Sequence, residues 1–234
     1  VDLNPYNNEI NGLAEKAYFP LSYIIMNVFT HFADYANKDA FAAGLSFPSL
    51  TITMLFMSFT ATMLFIQLYI MKEGSTIRKF VFTVAFMLSG SFMFSFERGN
   101  LIILTVLLMS FFINYYESSC TLIKELSFIS LAIAAALKGY PAILGLLLIY
   151  KKKLNESFRL LIYGIIFVFA PFLLIEGGFS NITLLIRNLK LNTLAYSQIS
   201  TYHYGIKILI KGIYESMSVS PANVTDIVKS INMV

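Results

Sequence analysis

Seven predominantly apolar stretches of the chain carry no Asp, Glu, Lys or Arg: residues 17–32, 46–71, 80–96, 101–116, 126–137, 139–150 and 160–175. A hydrocarbon core about 30 Å thick needs about 20 helical residues, or about 17 at the short end. Run 46–71 is comfortably long, whereas 80–96, 101–116 and 160–175 are marginal spans. Runs 126–137 and 139–150 are each too short to cross alone. They are mostly apolar all round and longer than strands, so the pattern predicts helices. It lacks the short polar and apolar alternation of a membrane β-barrel. The fold expected is all-α, a polytopic transmembrane helical bundle with short broken or re-entrant helices.

Lysines and arginines in short loops orient such a bundle. "MKEGSTIRK" (71–79) carries Lys72, Arg78 and Lys79, and "KKKLNESFR" (151–159) carries three lysines and an arginine. Placing both in the cytoplasm requires an even number of crossings between them. Runs 80–96 and 101–116 supply two, so 126–137 and 139–150 must climb and return as half-helices that turn at "LKGYP". Gly139 permits the turn, and Pro141 breaks the helical ladder and disfavours helix at Tyr140. The loop 34–44 then lies outside, and 17–32, opened by "YFP", is a shallow element that does not cross. The polar motifs "NPYNN", "ERGN", "KGYP" and "YHYG" collect on the outer or lumenal side.

Composition strengthens the membrane reading. The 234 residues are 57% hydrophobic and 13% charged, whereas a soluble domain carries about a quarter charged residues. The bias toward Ile, Lys, Asn and Phe points to an AT-rich, bacterial genome, and the location expected is a bacterial plasma membrane, or the endoplasmic reticulum in a eukaryote. A single cysteine, Cys120, excludes an internal disulfide and a cysteine metal site. His31 and His203 have no Asp, Cys or Glu at ligand spacing, so no metal is expected. No phosphate loop, dinucleotide fingerprint or nucleophile elbow occurs, and no cofactor is expected. The net charge of +4 follows from topology and gives no reason to expect nucleic acid. The chain starts at Val1 and stops at "IVKSINMV", and is expected to be a piece of a longer protein.

Several polar residues need an explanation. Lys138 sits between two apolar half-helices, where an ammonium costs about 2.5–3.5 kcal/mol. It either snorkels to the interface or contacts a phosphate. Glu97 and Arg98 diverge on a helix, so they pair across helices rather than with each other. Gly99 and Asn100 read as a tight turn and an N-cap whose helix offers free N–H groups to an anion. His203 is flanked by Tyr202 and Tyr204 and preceded by Arg187 and Lys190, as in either an aromatic belt or a site. Lys207 and Lys211 lie four apart beside an apolar face, as in an interfacial helix. The organisation expected is a membrane core over 1–175 and an outer-side loop with an amphipathic segment over 176–234.

Taken in order, "NPYNN…AYFPLSYIIM", "SFERGNLIILTVLLM" and "LAIAAALKGYPAILGLLL" followed by "KKK" resemble polytopic glycosyltransferases of the GT-C type. The pattern is similar to the polyprenol-phosphate-mannose-dependent enzymes of glycosyltransferase family 87 and to the catalytic subunit of the first GPI mannosyltransferase. The matching positions are Pro5 with Tyr6, Tyr18 with Pro20, Arg98 to Asn100, and Lys138 with Tyr140 and Pro141. They cover residues 4–153, with weaker similarity around 187–204.

The resemblance implies a GT-C-like bundle and a sugar donor linked to polyprenyl or dolichyl phosphate. It further implies an inverting transfer of mannose to a glycan or lipid acceptor on the outer or lumenal face, among membrane lipids. An acceptor hydroxyl needs a base, and the departing lipid phosphate needs cationic stabilisation. Lys138, Arg98 and His203 are candidates for the second task, and Tyr6, Glu97, Asn100 and Tyr140 complete the expected substrate-binding set. In such enzymes the general-base aspartate precedes the Pro-Tyr pair, and Asp2 lies too near Pro5 to match it. The base is therefore expected upstream, and this piece alone is expected to be inactive. A transporter, which would show an inverted repeat, and a lipid-linked sugar flippase or non-catalytic subunit are the competing readings.

Overall fold

The computed structural model describes residues 4–6, 17–34, 37–38, 40–71 and 73–198. It divides into two compact units, Val1–Ile186 and Arg187–Val234. The described residues form helices α1 (Pro20–Thr30), α2 (Ala40–Gly44), α3 (Phe47–Met71), α4 (Thr76–Met87), α5 (Gly90–Glu97), α6 (Ile102–Tyr115) and α7 (Thr121–Lys138). After a 3-10 helix at Tyr140–Gly145 come α8 (Leu146–Tyr150), α9 (Leu154–Phe169), two further 3-10 segments, and α10 (Asn181–Gln198). No strand occurs among the described residues, and the all-α expectation holds.

The first unit is built around α7, which packs on α6 and α9. Its alanines Ala132, Ala134, Ala135 and Ala136 are buried, and small side chains let neighbouring helices approach closely. Phe112, Phe128, Leu131, Leu148 and Leu160 form the core between α6, α7, α8 and α9. On the other side Met57, Leu64, Phe92 and Ile103 join α3, α5 and α6. The outward residues Phe47, Met54, Leu55 and Phe59 of α3 are exposed, as a lipid-facing helix requires. By length and composition α3 and the stretch Leu154–Leu174 can cross a membrane, and a third span arises if α4 and α5 count as one.

The chain does turn at Gly139 and run back, with one correction to the first arm. The first arm is not a half-helix over 126–137 but the 18 residues of α7, about 27 Å at the helical rise. It begins early because Lys124 pairs with Glu156 at 3.7 Å and Glu125 pairs with Arg159. Those pairs let a helix carry charges that a search for uncharged runs cuts off. They also join the first turns of α7 and α9, so the two helices run parallel. The return, Tyr140–Tyr150, brings the chain back to where Lys153 meets Glu117 at 2.9 Å.

Two other expectations change. Run 80–96 is not continuous, because α4 and α5 meet at 53°. The break falls at Ser89, whose hydroxyl accepts from the Phe92 N–H at 3.3 Å and starts α5. Within 176–234, the stretch expected to hold an outer-side loop and an amphipathic segment, Asn181–Gln198 form α10. Asn181 donates to the Glu176 carbonyl at 2.8 Å beside Gly177, which holds φ +89°.

Candidate functional site

The site is organised along α1, which begins at "YFP". Phe19 is extended and Pro20 occupies the first helical position, where its missing N–H costs nothing. Tyr6 fastens the entry to this helix. It is 1% exposed, and its hydroxyl donates to the Tyr18 carbonyl at 2.8 Å. Its ring stacks on Phe172 and meets Tyr23 edge-on with centroids 5.4 Å apart. Burial, and secondarily the Tyr23 hydroxyl, push the Tyr6 hydroxyl well above its ordinary pKa. Tyr6 accordingly stays a neutral donor. Its N–H donates to Asn4 Oδ1 at 3.0 Å, and Asn4 Nδ2 in turn donates to Asn181 Oδ1 at 2.9 Å.

Lys138 ends α7 against the start of α1. Gly139 holds φ +76°, and a Cβ there would stand 3.2 Å from Phe19 Cε2, so the turn needs glycine twice over. The Ser22 hydroxyl donates to the Leu137 carbonyl at 3.0 Å, satisfying an acceptor that the helix end leaves open. The Lys138 ammonium lies 4.2 Å from the Tyr18 ring centroid. It is half-buried, and no carboxylate among the described residues lies within 4.0 Å of it. Tyr140, next along the turn, is 50% exposed.

The "ERGN" turn joins α5 to α6. Gly99 takes φ +59°, and Asn100 Oδ1 accepts the Ile102 N–H at 3.0 Å. The Asn100 side chain thus holds the turn and opens α6. Arg98 folds back so that its guanidinium carbon is 4.1 Å from the Phe94 ring centroid. Glu97 and Arg98 are both exposed. Neither forms an ion pair among the described residues, in contrast to the cross-helix pairing expected for them.

Between this turn, α1 and α3 lies a cleft of about 330 Å³. Its walls include Phe29 and Thr30 from α1, Ser49, Thr53 and Phe56 from α3, and Gly99. Helix α1 therefore borders both features, with Lys138 at its first residues and the cleft at its last turns. Nothing in the sequence marks Ser49, Thr53 or Asn181 as unusual, since hydroxyls and amides at helix starts ordinarily bond their own backbone.

Of the expected residues, the structure gathers Tyr6 and Lys138 around Tyr18 and sets Asn100 at the cleft turn. His203, with Tyr202 and Tyr204, lies outside the described residues. His31 is exposed, and its Nδ1 is 2.7 Å from the Asn27 carbonyl. No group of three or more His, Cys, Asp or Glu that could hold a metal occurs among the described residues.

Helix starts and tight turns of this kind recur in many membrane folds, so identity rests on the sequence as a whole. No curated protein and no solved structure matches the chain. The family model for glycosyltransferase family 87 matches residues 18–201, from Tyr18 through "ERGN" and "KGYP" and well over half of the chain. The protein is a membrane glycosyltransferase and belongs to glycosyltransferase family 87.

Proposed function

We propose that the protein transfers mannose from a polyprenyl or dolichyl phosphate donor to a glycan or lipid acceptor at the outer or lumenal face. The observation that carries this reading is Lys138, a half-buried ammonium that faces an aromatic ring and has no carboxylate partner among the described residues. A cation held in that state is costly unless an anion visits it. In the transfer, the acceptor oxygen bonds to the anomeric carbon as the bond from that carbon to the phosphate oxygen breaks. The acceptor proton goes to a general base, and the electron pair of the broken bond stays on the lipid phosphate. Lys138 stabilises the charge that grows there. Exposed Tyr140, beside Lys138 in the turn, is available to the donor head group. The general base is expected in the acidic loop that precedes the Pro-Tyr pair in related enzymes.

The test is transfer of radiolabelled mannose from polyprenyl-phosphate-mannose in membranes that express the full-length gene, compared with Lys138→Ala. Label passed on by the wild type and lost in the variant supports the reading. Equal transfer by both removes Lys138 from the site, and no transfer by the wild type removes mannose as the sugar.

A further inference from the structure

The cleft beside "ERGN" differs from the Lys138 turn in chemistry, and its walls contain an anomaly. In α3 the hydroxyls of Thr51, Thr60 and Thr62 donate to the carbonyls four residues back at 2.7–2.8 Å, the usual fate of a hydroxyl within a helix. Ser49 and Thr53 do not. Ser49 is 8% exposed, yet neither its hydroxyl nor that of Thr53 makes a hydrogen bond among the described residues. A buried hydroxyl without a partner costs about 1–3 kcal/mol, so Ser49 calls for a ligand, and Thr53, partly exposed one turn along, offers a second hydroxyl beside it. The two residues are four apart and share one face of α3 with Phe56. All three line the cleft.

The opposite wall supplies apolar carbon. Phe29 of α1 meets Phe56 edge-to-face, with centroids 5.0 Å apart. Gly99, at φ +59° and with only the Thr53 methyl near its missing Cβ, leaves the turn open to close approach. An apolar floor with a few convergent hydroxyls fits a saturated ring whose C–H face packs on aromatic carbon and whose own hydroxyls need oxygen partners. Such a ring is a sugar.

We infer that this cleft binds the sugar ring of the acceptor, with Ser49 and Thr53 as its hydrogen-bonding residues. The inference rests on the transferase reading above and assigns the second substrate of that reaction. The spacing is consistent with two substrates. Met26 and Thr30 stand about 9 and 15 Å along α1 from its first residue, where Lys138 is held. A phosphate at Lys138 and an acceptor ring at the cleft leave room between them for the donor sugar. Separate places for donor and acceptor are what direct transfer requires.

Steady-state transfer in membranes, with octyl α-mannoside as the varied acceptor, compares the wild type with Ser49→Ala plus Thr53→Val. Because the two hydroxyls make no hydrogen bond among the described residues, the variant should be at least as thermally stable as the wild type. Its KM for acceptor should rise about tenfold, with KM for the lipid donor unchanged. An unchanged acceptor KM, or a rise in donor KM instead, overturns the inference. A diazirine-bearing alkyl mannoside provides a readout independent of turnover. Photolabel on residues 26–30, 49–56 and 99–101, suppressed by octyl α-mannoside and reduced in the variant, is the expected result. Label elsewhere defeats the assignment. Label in the cleft without any mannose transfer would retain the sugar site while removing the donor reading, so the two can fail separately.

Discussion

The ammonium of Lys138 stands 4.2 Å from the centre of the Tyr18 ring, and the backbone carbonyl of that same Tyr18 accepts the hydroxyl of Tyr6. A charged head group is thus positioned by an aromatic face, and that face by a buried tyrosine. Replacing Lys138 with Ala should reduce transfer by about 10- to 100-fold, since a hydrogen bond to a charged group contributes about 1.5–3 kcal/mol. The loss should appear as a raised donor KM together with a lower kcat. Arg at this position should restore part of the rate, because it keeps the charge but changes the geometry. Retention of full activity by Lys138→Ala would remove it from the donor site.

Tyr18→Phe preserves the ring face under Lys138 and should be close to neutral in rate. Tyr18→Leu removes the face, and the exposed range for such a contact is about 0.5–1 kcal/mol. A two- to fivefold loss is therefore expected, by about that energy. Rate measurements on both variants at one donor concentration decide the matter, and equal losses in the two would mean that the hydroxyl matters rather than the face.

Gly139→Ala should be among the most damaging small substitutions. The residue holds φ +76°, and the added methyl would meet Phe19 at 3.2 Å. Left-handed backbone costs an L-residue about 1–2 kcal/mol before any contact is counted. Thermal unfolding in detergent should show a clear fall in midpoint. Gly164→Ala provides the contrast: a Cβ there meets nothing within 4 Å, and the helix should gain slightly.

Tyr6→Phe keeps the stacking on Phe172 but strands the Tyr18 carbonyl. The expected loss is about 0.5–1.5 kcal/mol, and Tyr6→Leu should lose more because the ring contacts go as well. Chemical unfolding of the two variants in the same detergent orders them, and a Phe variant as stable as the wild type would show that the hydroxyl is dispensable.

The far end of the bundle makes a pH prediction. The Lys153 hydrogen bond, with Lys151 also nearby, holds the Glu117 carboxyl below its ordinary value of 4.5. Glu117 likewise raises Lys151 above 10.5. A depressed acid contributes stability above its unfolded pKa and loses it as pH falls through the folded one. A raised base contributes below its unfolded pKa and loses it as pH rises through the folded one. The stability difference between wild type and Glu117→Gln should therefore be level through neutral pH and close at both extremes, below 4.5 and above 10.5. Melting temperatures measured across pH check this, and a difference that persists in acid would separate it from these pairs.

What the sequence disclosed was the chemistry of single positions. Gly139 with Pro141 announced a turn, and Asn100 after Gly99 announced a cap, because both act on their own backbone. The start of α7 was hidden, since Lys124 and Glu125 look like a helix boundary until Glu156 and Arg159 stand beside them. The Ser89-Gly90 pair carried a readable signal for the kink in 80–96, outweighed there by the uninterrupted apolar run. Ser49 and Thr53 were illegible for the opposite reason: their distinction is a hydrogen bond not made among the described residues, which only the folded structure reveals.

The turn at Gly139 also sets an order of assembly. Ser22 must find the carbonyl of Leu137, 115 residues later in the chain, and Asn4 must find Asn181, 177 residues later. At a synthesis rate of about 5–20 residues per second, the first of these partners arrives about 6–23 s after α1 leaves the ribosome. Until then Ser22 and Tyr23 of α1 face the translocation machinery, a chaperone or lipid. A mutation that slows insertion of α7 would therefore leave the Lys138 site unbuilt, even though every residue in that site is wild type.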